Sequence, residues 1–328
     1  MVIERLAARA FVPAEAAVAE GRIPGAVLGL VDGSGARTVL VAGKARIEPS
    51  IAMARGTWFD LASLTKIVFT MTAVLDLVAT GRIGLDSQLC EAIPDLRQYD
   101  LTAPERRLTF RQCLAHQTHL PAVEPLYTYG QDARTLRAFI LQREWVAGPP
   151  VYSDIGFMLL GIAIERLTGA ALGAQPMAEG LSFHPPAALC AATEACQWRG
   201  RVMQGEVHDE NAYALGGAAG HAGLFGTVDG VLAFAHGVLG TAADSPIRLR
   251  HNNSSRTVGW EAAHAGWSGG ERVSETAVGH TGFTGTGLWI DFDRELAWTL
   301  LTNRVHPSRF LPTGIAALRH DTGDLVCA

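Results

Sequence analysis

The stretch that most constrains this chain is Thr57–Gly81, TWFDLASLTKIVFTMTAVLDLVATG. From Ile67 onward, Val68, Met71, Val74, Leu75 and Val78 recur at three- and four-residue spacing, which predicts a buried helix. Ser63 and Lys66 stand at its start. Residues i and i+3 of a helix share a face, so the hydroxyl and the amine are expected to meet. Near a helix N-terminus, unpaired N–H groups also favour developing negative charge. A serine placed there beside an amine can act as an activated nucleophile.

The rest of the composition limits the function classes. The chain has 328 residues, of which 48% are hydrophobic and only 18% charged. That balance predicts a large ordered core in one large domain or two interleaved ones. A net charge of −5, with no basic cluster, argues against a nucleic-acid partner. No apolar run is expected to span a bilayer. The N-terminal 25 residues carry Glu4, Glu15 and Glu20 and read as an amphipathic helix rather than a signal peptide. Five scattered cysteines, with no C-x-x-C pair, read as reduced thiols, and no metal or cofactor is expected. A cytoplasmic location is the resulting expectation.

Taken in order, Gly25–Val31 and Arg37–Gly43 predict an antiparallel pair around the turn Asp32–Ala36. Gly81 reads as the stop of the Ser63 helix. Short helices are expected at Thr109–His116 and Ala133–Arg143, and a second buried helix at Ile155–Thr168 after Gly148-Pro149-Pro150. Residues 182–226 read as loops, and Val228–Leu239 as a helix. Strands follow at Thr276–His280, Gly287–Asp291 and Ala297–Thr302, with a closing helix within Phe310–Arg319. Strands at both ends imply one sheet subdomain built from residues 1–60 and 240–328. Residues 61–239 are then a mainly helical subdomain.

Two further stretches hold candidate chemistry. Tyr152-Ser153-Asp154 sits on a fixed loop before a buried helix, and His280-Thr281-Gly282 lies on a predicted strand. Together with Ser63-Leu64-Thr65-Lys66, these stretches resemble the serine β-lactamase and penicillin-binding protein superfamily. The branch is that of class C β-lactamases and family VIII carboxylesterases. The three motifs correspond in order to its S-x-x-K, Tyr-x-Asn and Lys/His-Thr-Gly. The segments GRIGLDSQL, LTFRQCLAHQTHLP and GEVHDENAYALGGAAGHAGLFGT also look familial.

The resemblance implies an α/β (α+β) fold of the β-lactamase/transpeptidase type, with an antiparallel sheet, flanking helices and an inserted helical lobe. It implies a two-step acyl-enzyme mechanism, Ser63 attacking a carbonyl while the backbone N–H groups of Ser63 and Phe283 hold the oxyanion. Asp154 departs from the usual Asn. An ionised Asp154 keeps Lys66 charged, whereas a neutral Lys66 at pH 7 would cost about 4 kcal/mol. Proton transfer therefore falls primarily to Tyr152, beside a charged Lys66.

His280 departs from the usual Lys. Histidine is only partly charged at neutral pH, so a permanent cation is expected to be missing. That favours uncharged esters or amides over β-lactams or D,D-peptides. A β-lactamase or muropeptide peptidase is the alternative, and a weakly catalytic binder or sensor a third. Gly266-Trp267-Ser268-Gly269-Gly270 matches G-x-S-x-G but reads as a surface turn. His208-Asp209-Glu210 and His221 read as capping and loop hydrogen bonding, and His116 and His119 as bonding backbone.

Overall fold

The computed structural model describes residues 2–130, 132–252 and 254–328. Among these residues twelve strands form in chain order: β1 (Gly25–Asp32), β2 (Arg37–Arg46), β3 (Ile51–Ala52), β4 (Phe59–Asp60), β5 (Leu181–Ser182), β6 (Ala192–Cys196), β7 (Arg201–Gln204), β8 (Phe225–Gly226), β9 (Glu261–Ala262), β10 (Val278–Thr281), β11 (Gly287–Asp291) and β12 (Leu296–Thr302). Seven make one antiparallel sheet in the order β3-β2-β1-β12-β11-β10-β9. The N- and C-terminal strands meet at its centre, where Ala26 pairs with Thr302 and Asp32 with Leu296.

Strand β1 reads as an unbroken apolar run because both its faces are covered. Leu28 and Leu30 pack with Trp289, Trp298 and Phe11 under the helix Val2–Ala19. Val27 and Val31 face the opposite side, toward the helix Val228–Leu239 and the main core. Contact there is so close that a Cβ on Gly29 would lie 2.5 Å from Val228. The helix Val228–Leu239 thus packs on β1, β11 and β12, although the expected division at 239 put it in the lobe. The closing helix also begins later than expected, at Ile315, and runs to Val326.

The middle of the chain contains more strand than its loop-like sequence suggests. Strands β4, β8 and β5 form a three-stranded sheet, and β6 pairs with β7. These strands are two to five residues long, too short to show a period. The β4–β8 pairing places Asp60 directly before the Ser63 turn.

The Ser63 segment is not one regular helix. It starts as a tight turn, Ala62–Leu64, widens into a π-type stretch over Lys66–Met71, and becomes α-helical at Thr72–Ala79. Wide turns of this kind often mark functional sites. By length and apolarity Ala62–Ala79 does reach the size of a membrane span, contrary to the sequence expectation. Its mean hydropathy is 1.6, but 61% of it is buried inside the protein, which identifies a core helix.

The second buried helix, Asp154–Thr168, is capped by Ser153 and stopped by Gly169 in the left-handed conformation. Every residue from Ile155 to Ile164 is buried. The segment 216–223 crosses it with backbone against backbone. A Cβ on Gly220 would lie 2.0 Å from the Phe157 carbonyl, and one on Gly161 would lie 2.9 Å from Gly220 N. This crossing delivers the His221 carbonyl to Lys66. Gly220→Ala is therefore expected to destabilise the fold by about 1–3 kcal/mol, read as a lower midpoint of urea unfolding. An unchanged midpoint would show that the crossing is looser than these distances require.

Candidate active site

Lys66 has no solvent exposure, and its ammonium has three acceptors around it. It donates to Ser63 Oγ at 2.9 Å and to the His221 carbonyl at 3.3 Å. Asp154 Oδ1 lies 2.8 Å away as an ion pair. Burial pulls the lysine pKa down, but the Asp154 carboxylate and Tyr152 outweigh it and hold it above its ordinary value. The i,i+3 expectation for Ser63 and Lys66 thus holds, although a tight turn rather than a regular helix joins them.

Tyr152 and Asp154 reach this point from the loop before the second buried helix. Ser153 holds the loop: its N–H donates to His116 Nδ1 at 2.9 Å and its hydroxyl to the Pro121 carbonyl at 2.7 Å. The Tyr152 ring lies against His116, with centroids 4.3 Å apart. Two cations face that ring, Lys66 Nζ at 4.8 Å and the Arg256 guanidinium at 5.4 Å. The structure therefore brings Ser63, Lys66, Tyr152 and Asp154 together from segments about ninety residues apart in sequence.

His280, Thr281 and Gly282 form the opposite wall at the end of β10. Gly282 is required by the chain itself: a Cβ there would lie 2.6 Å from the Leu61 carbonyl and 2.1 Å from Thr286 Oγ1. Phe283 is half-exposed, and its carbonyl accepts from Arg304 Nε at 2.9 Å.

His280 is buried, and burial together with Lys66 and Arg256 holds its pKa well below the ordinary value. It carries no charge at neutral pH. The expectation that the site lacks a permanent cation is nevertheless overturned, because arginines supply several. Ser63, Tyr152, Arg256, Glu261, His280, Thr281, Gly282, Phe283, Arg304 and Arg319 line one cavity of about 400 Å³. Arg319 is fixed by donating to the Gly282 and Thr286 carbonyls, both at 2.7 Å, and burial with Arg304 nearby lowers its pKa to about 9. Arg256 lies 3.6 Å from Glu261.

None of the three arginines sits in a motif. For Arg304 a signal existed: continuing the β11–β12 register past Gly287↔Leu300 places it beside the Phe283 turn. Arg256 comes from the loop before β9, tied to it only by an isolated antiparallel bridge with Glu261.

The remaining candidates support the site from behind or lie elsewhere. Asp209 caps the helix Glu210–Ala214, and its Oδ1 is 2.9 Å from His221 Nε2, as the capping expectation has it. His208 Nε2 contacts Glu194 at 3.1 Å. His119 departs from expectation: its ring lies 3.9 Å from the buried Glu105 rather than on backbone. Ser268 accepts from Trp289 Nε1 at 3.1 Å in a turn packed against the sheet.

Residues 13–321 match the sequence profile of the family described as Beta-lactamase. The N-acetylmuramyl-L-alanine amidase of Bacillus subtilis (strain 168) is 30% identical over 306 residues, covering 76% of this chain and 68% of that one. Among solved structures, EstCE1, a hydrolase with promiscuous acyltransferase activity, superposes with a TM-score of 0.73 at 20% identity, covering 98% of this chain and all of the other. A class C β-lactamase from Rhodobacter sphaeroides superposes with a TM-score of 0.69 at 20% identity over 98% of both chains.

Asp154 is the counter-charge whose removal tests this geometry. The raised lysine pKa means that the ion pair stabilises fully below the ordinary lysine value of about 10.4 and is lost only as pH climbs through the raised one. Asp154→Asn is expected to lower stability at pH 7 by about 3 kcal/mol, the low end for breaking a buried pair, since Asp154 keeps some solvent contact. Burial then acts with less opposition, so Lys66 deprotonates at a lower pH and the gap to the native protein narrows toward pH 10. Thermal unfolding across that range checks it, and a flat gap would refute the assignment.

Proposed function

This chain belongs to the β-lactamase family and is a serine hydrolase, and we propose that it cleaves small esters or amides through an acyl intermediate on Ser63. The observation that supports this reading best is the 2.9 Å hydrogen bond from a fully buried Lys66 to Ser63 Oγ.

Lys66 donates to the hydroxyl and is held charged by Asp154, so it orients Ser63 but does not remove its proton. Tyr152 is the acceptor in this scheme. It enters the step as phenolate, an anion whose ring faces the Lys66 and Arg256 cations, and leaves it as phenol. Ser63 Oγ then attacks the carbonyl, and the oxyanion accepts from the Ser63 and Phe283 N–H groups. Losing one such donor typically costs about 2.7–4 kcal/mol of transition-state stabilisation. Tyr152 returns its proton to the leaving group, and water releases the acyl group by the reverse sequence.

The arginines revise the substrate. Lys66, Arg256, Arg304 and Arg319 gather at the site against two carboxylates, Asp154 and Glu261. A substrate bearing a carboxylate suits that surplus better than an uncharged one. The same surplus favours a second reading, hydrolysis of a peptide with a free C-terminus or of a β-lactam.

Labelling with a fluorophosphonate, followed by peptide mapping, is expected to place the adduct on Ser63, and Ser63→Ala to abolish ester turnover. An adduct elsewhere would overturn the reading. For the substrate, 4-nitrophenyl hydrogen glutarate is expected to outperform 4-nitrophenyl acetate. Arg256→Ala should raise KM for the anionic ester by about tenfold, the size of one charge-assisted hydrogen bond, and leave KM for the neutral ester unchanged, while kcat falls for both because a cation facing Tyr152 is lost. Turnover of nitrocefin or a D-Ala-D-Ala peptide in place of both esters would select the second reading.

A further inference from the structure

Asp60 is a buried carboxylate that takes no part in the acyl-transfer scheme, yet it touches the turns that carry Ser63 and Phe283 and the His208 segment behind Lys66. Its Oδ1 accepts from Ala62 N at 2.8 Å, in the turn that presents Ser63. Its Oδ2 accepts from His208 N at 2.6 Å, beside Asp209, whose partner His221 offers the carbonyl that holds Lys66. Its main-chain carbonyl accepts from Thr284 Oγ1 at 2.7 Å, next to Phe283.

Ala62 has a φ of +47°, a left-handed conformation that a residue with a Cβ adopts only when its surroundings impose it. Among the described residues no lysine or arginine pairs with Asp60. Burial raises its pKa, while the two N–H donors act in the opposite sense. Both carboxylate oxygens are therefore committed to backbone: Asp60 Oδ1 takes the Ala62 N–H itself, while Thr286 Oγ1 holds the residue before it by donating to the Leu61 carbonyl at 3.1 Å.

We propose that Asp60 is a positioning residue: its carboxylate holds the Ala62–Ser63 turn, and its carbonyl holds the Phe283–Thr284 turn in register with it. The proposal rests on the acyl-Ser63 reading. It assigns Asp60 no contact with substrate. The amide of Asp60→Asn supplies one acceptor where two N–H groups need one, and its NH₂ faces the other donor.

The test is the rate constant of fluorophosphonate labelling at Ser63, with kcat and KM for a 4-nitrophenyl ester and the unfolding midpoint measured in parallel. Asp60→Asn is expected to slow labelling and kcat by about a hundredfold with KM little changed, the effect of a nucleophile misplaced by an ångström. Adding Ala62→Gly to that variant is expected to restore labelling by on the order of tenfold, since glycine adopts a positive φ without strain. A merely structural aspartate predicts a lower unfolding midpoint, labelling at the native rate and no rescue, and that result overturns the proposal. Should Asp60→Asn fail to fold, Thr284→Val decides the matter. It removes only the hydroxyl that reaches Asp60, and native-rate labelling in it overturns the proposal. Failure of the native protein to label at Ser63 sinks the acyl-enzyme reading as well, which separates the two.

Discussion

An ammonium group with no access to water dictates the arrangement around it. Taking such a charge out of solvent costs several kcal/mol even after relaxation, unless a counter-charge and hydrogen bonds replace the water. Lys66 finds its replacements in Asp154, Ser63 and the His221 carbonyl. Each comes from a different part of the chain, so satisfying one cation requires three segments to converge. The helix Asp154–Thr168 must start beside Lys66, and the segment around Gly220 must cross that helix without side chains between them. The site and the core of the lobe are therefore the same packing problem.

How much of this was legible follows from the sequence separation of the interactions involved. Ser63 and Lys66 were readable as partners because three residues of any helical turn bring them together. The strands β1, β2, β11 and β12 and both long buried helices were readable because burial on one or two faces imposes a period or an unbroken apolar run. Tyr152 and His280 came only through the resemblance of ordered motifs, since nothing local in either stretch distinguishes a reactive group from a packing one. Two-residue strands such as β4, β5 and β8 carry no pattern at all. The closing helix was misplaced because Pro312 and Gly314 end the loop later than its apolar residues suggest.

The error over His280 is the more instructive one. The sequence shows a residue type whose ordinary pKa lies near neutrality, but its charge depends on neighbours that only the fold supplies. Burial and three nearby cations, Lys66, Arg256 and Arg319, keep this imidazole neutral. The inference that the site therefore lacks a permanent cation failed for a separate reason: Arg256, Arg304 and Arg319 arrive from a loop, a strand end and the closing helix. Residues far apart in the chain can restore a charge that a motif has lost, and no motif records them.

The two departures from the family pattern thus belong to one electrostatic rearrangement. Asp154 adds a negative charge beside Lys66, which fixes the ammonium but leaves less of its field free for a substrate. Neutral His280 removes a positive charge from the strand. A site altered in both ways and in no other would repel a carboxylate or ignore it. The arginines reverse that outcome: Arg256, Arg304 and Arg319 line the same cavity as Ser63, with Glu261 as the carboxylate among those lining residues. With Lys66 neutralised by its own carboxylate and the outer cations only partly engaged, the field in the cavity points a substrate's negative end toward Arg256 and Arg304. Its carbonyl is left to Ser63. On the proposed reading the lysine serves orientation and the arginines serve recognition, two tasks that a single strand lysine beside the nucleophile could not have divided.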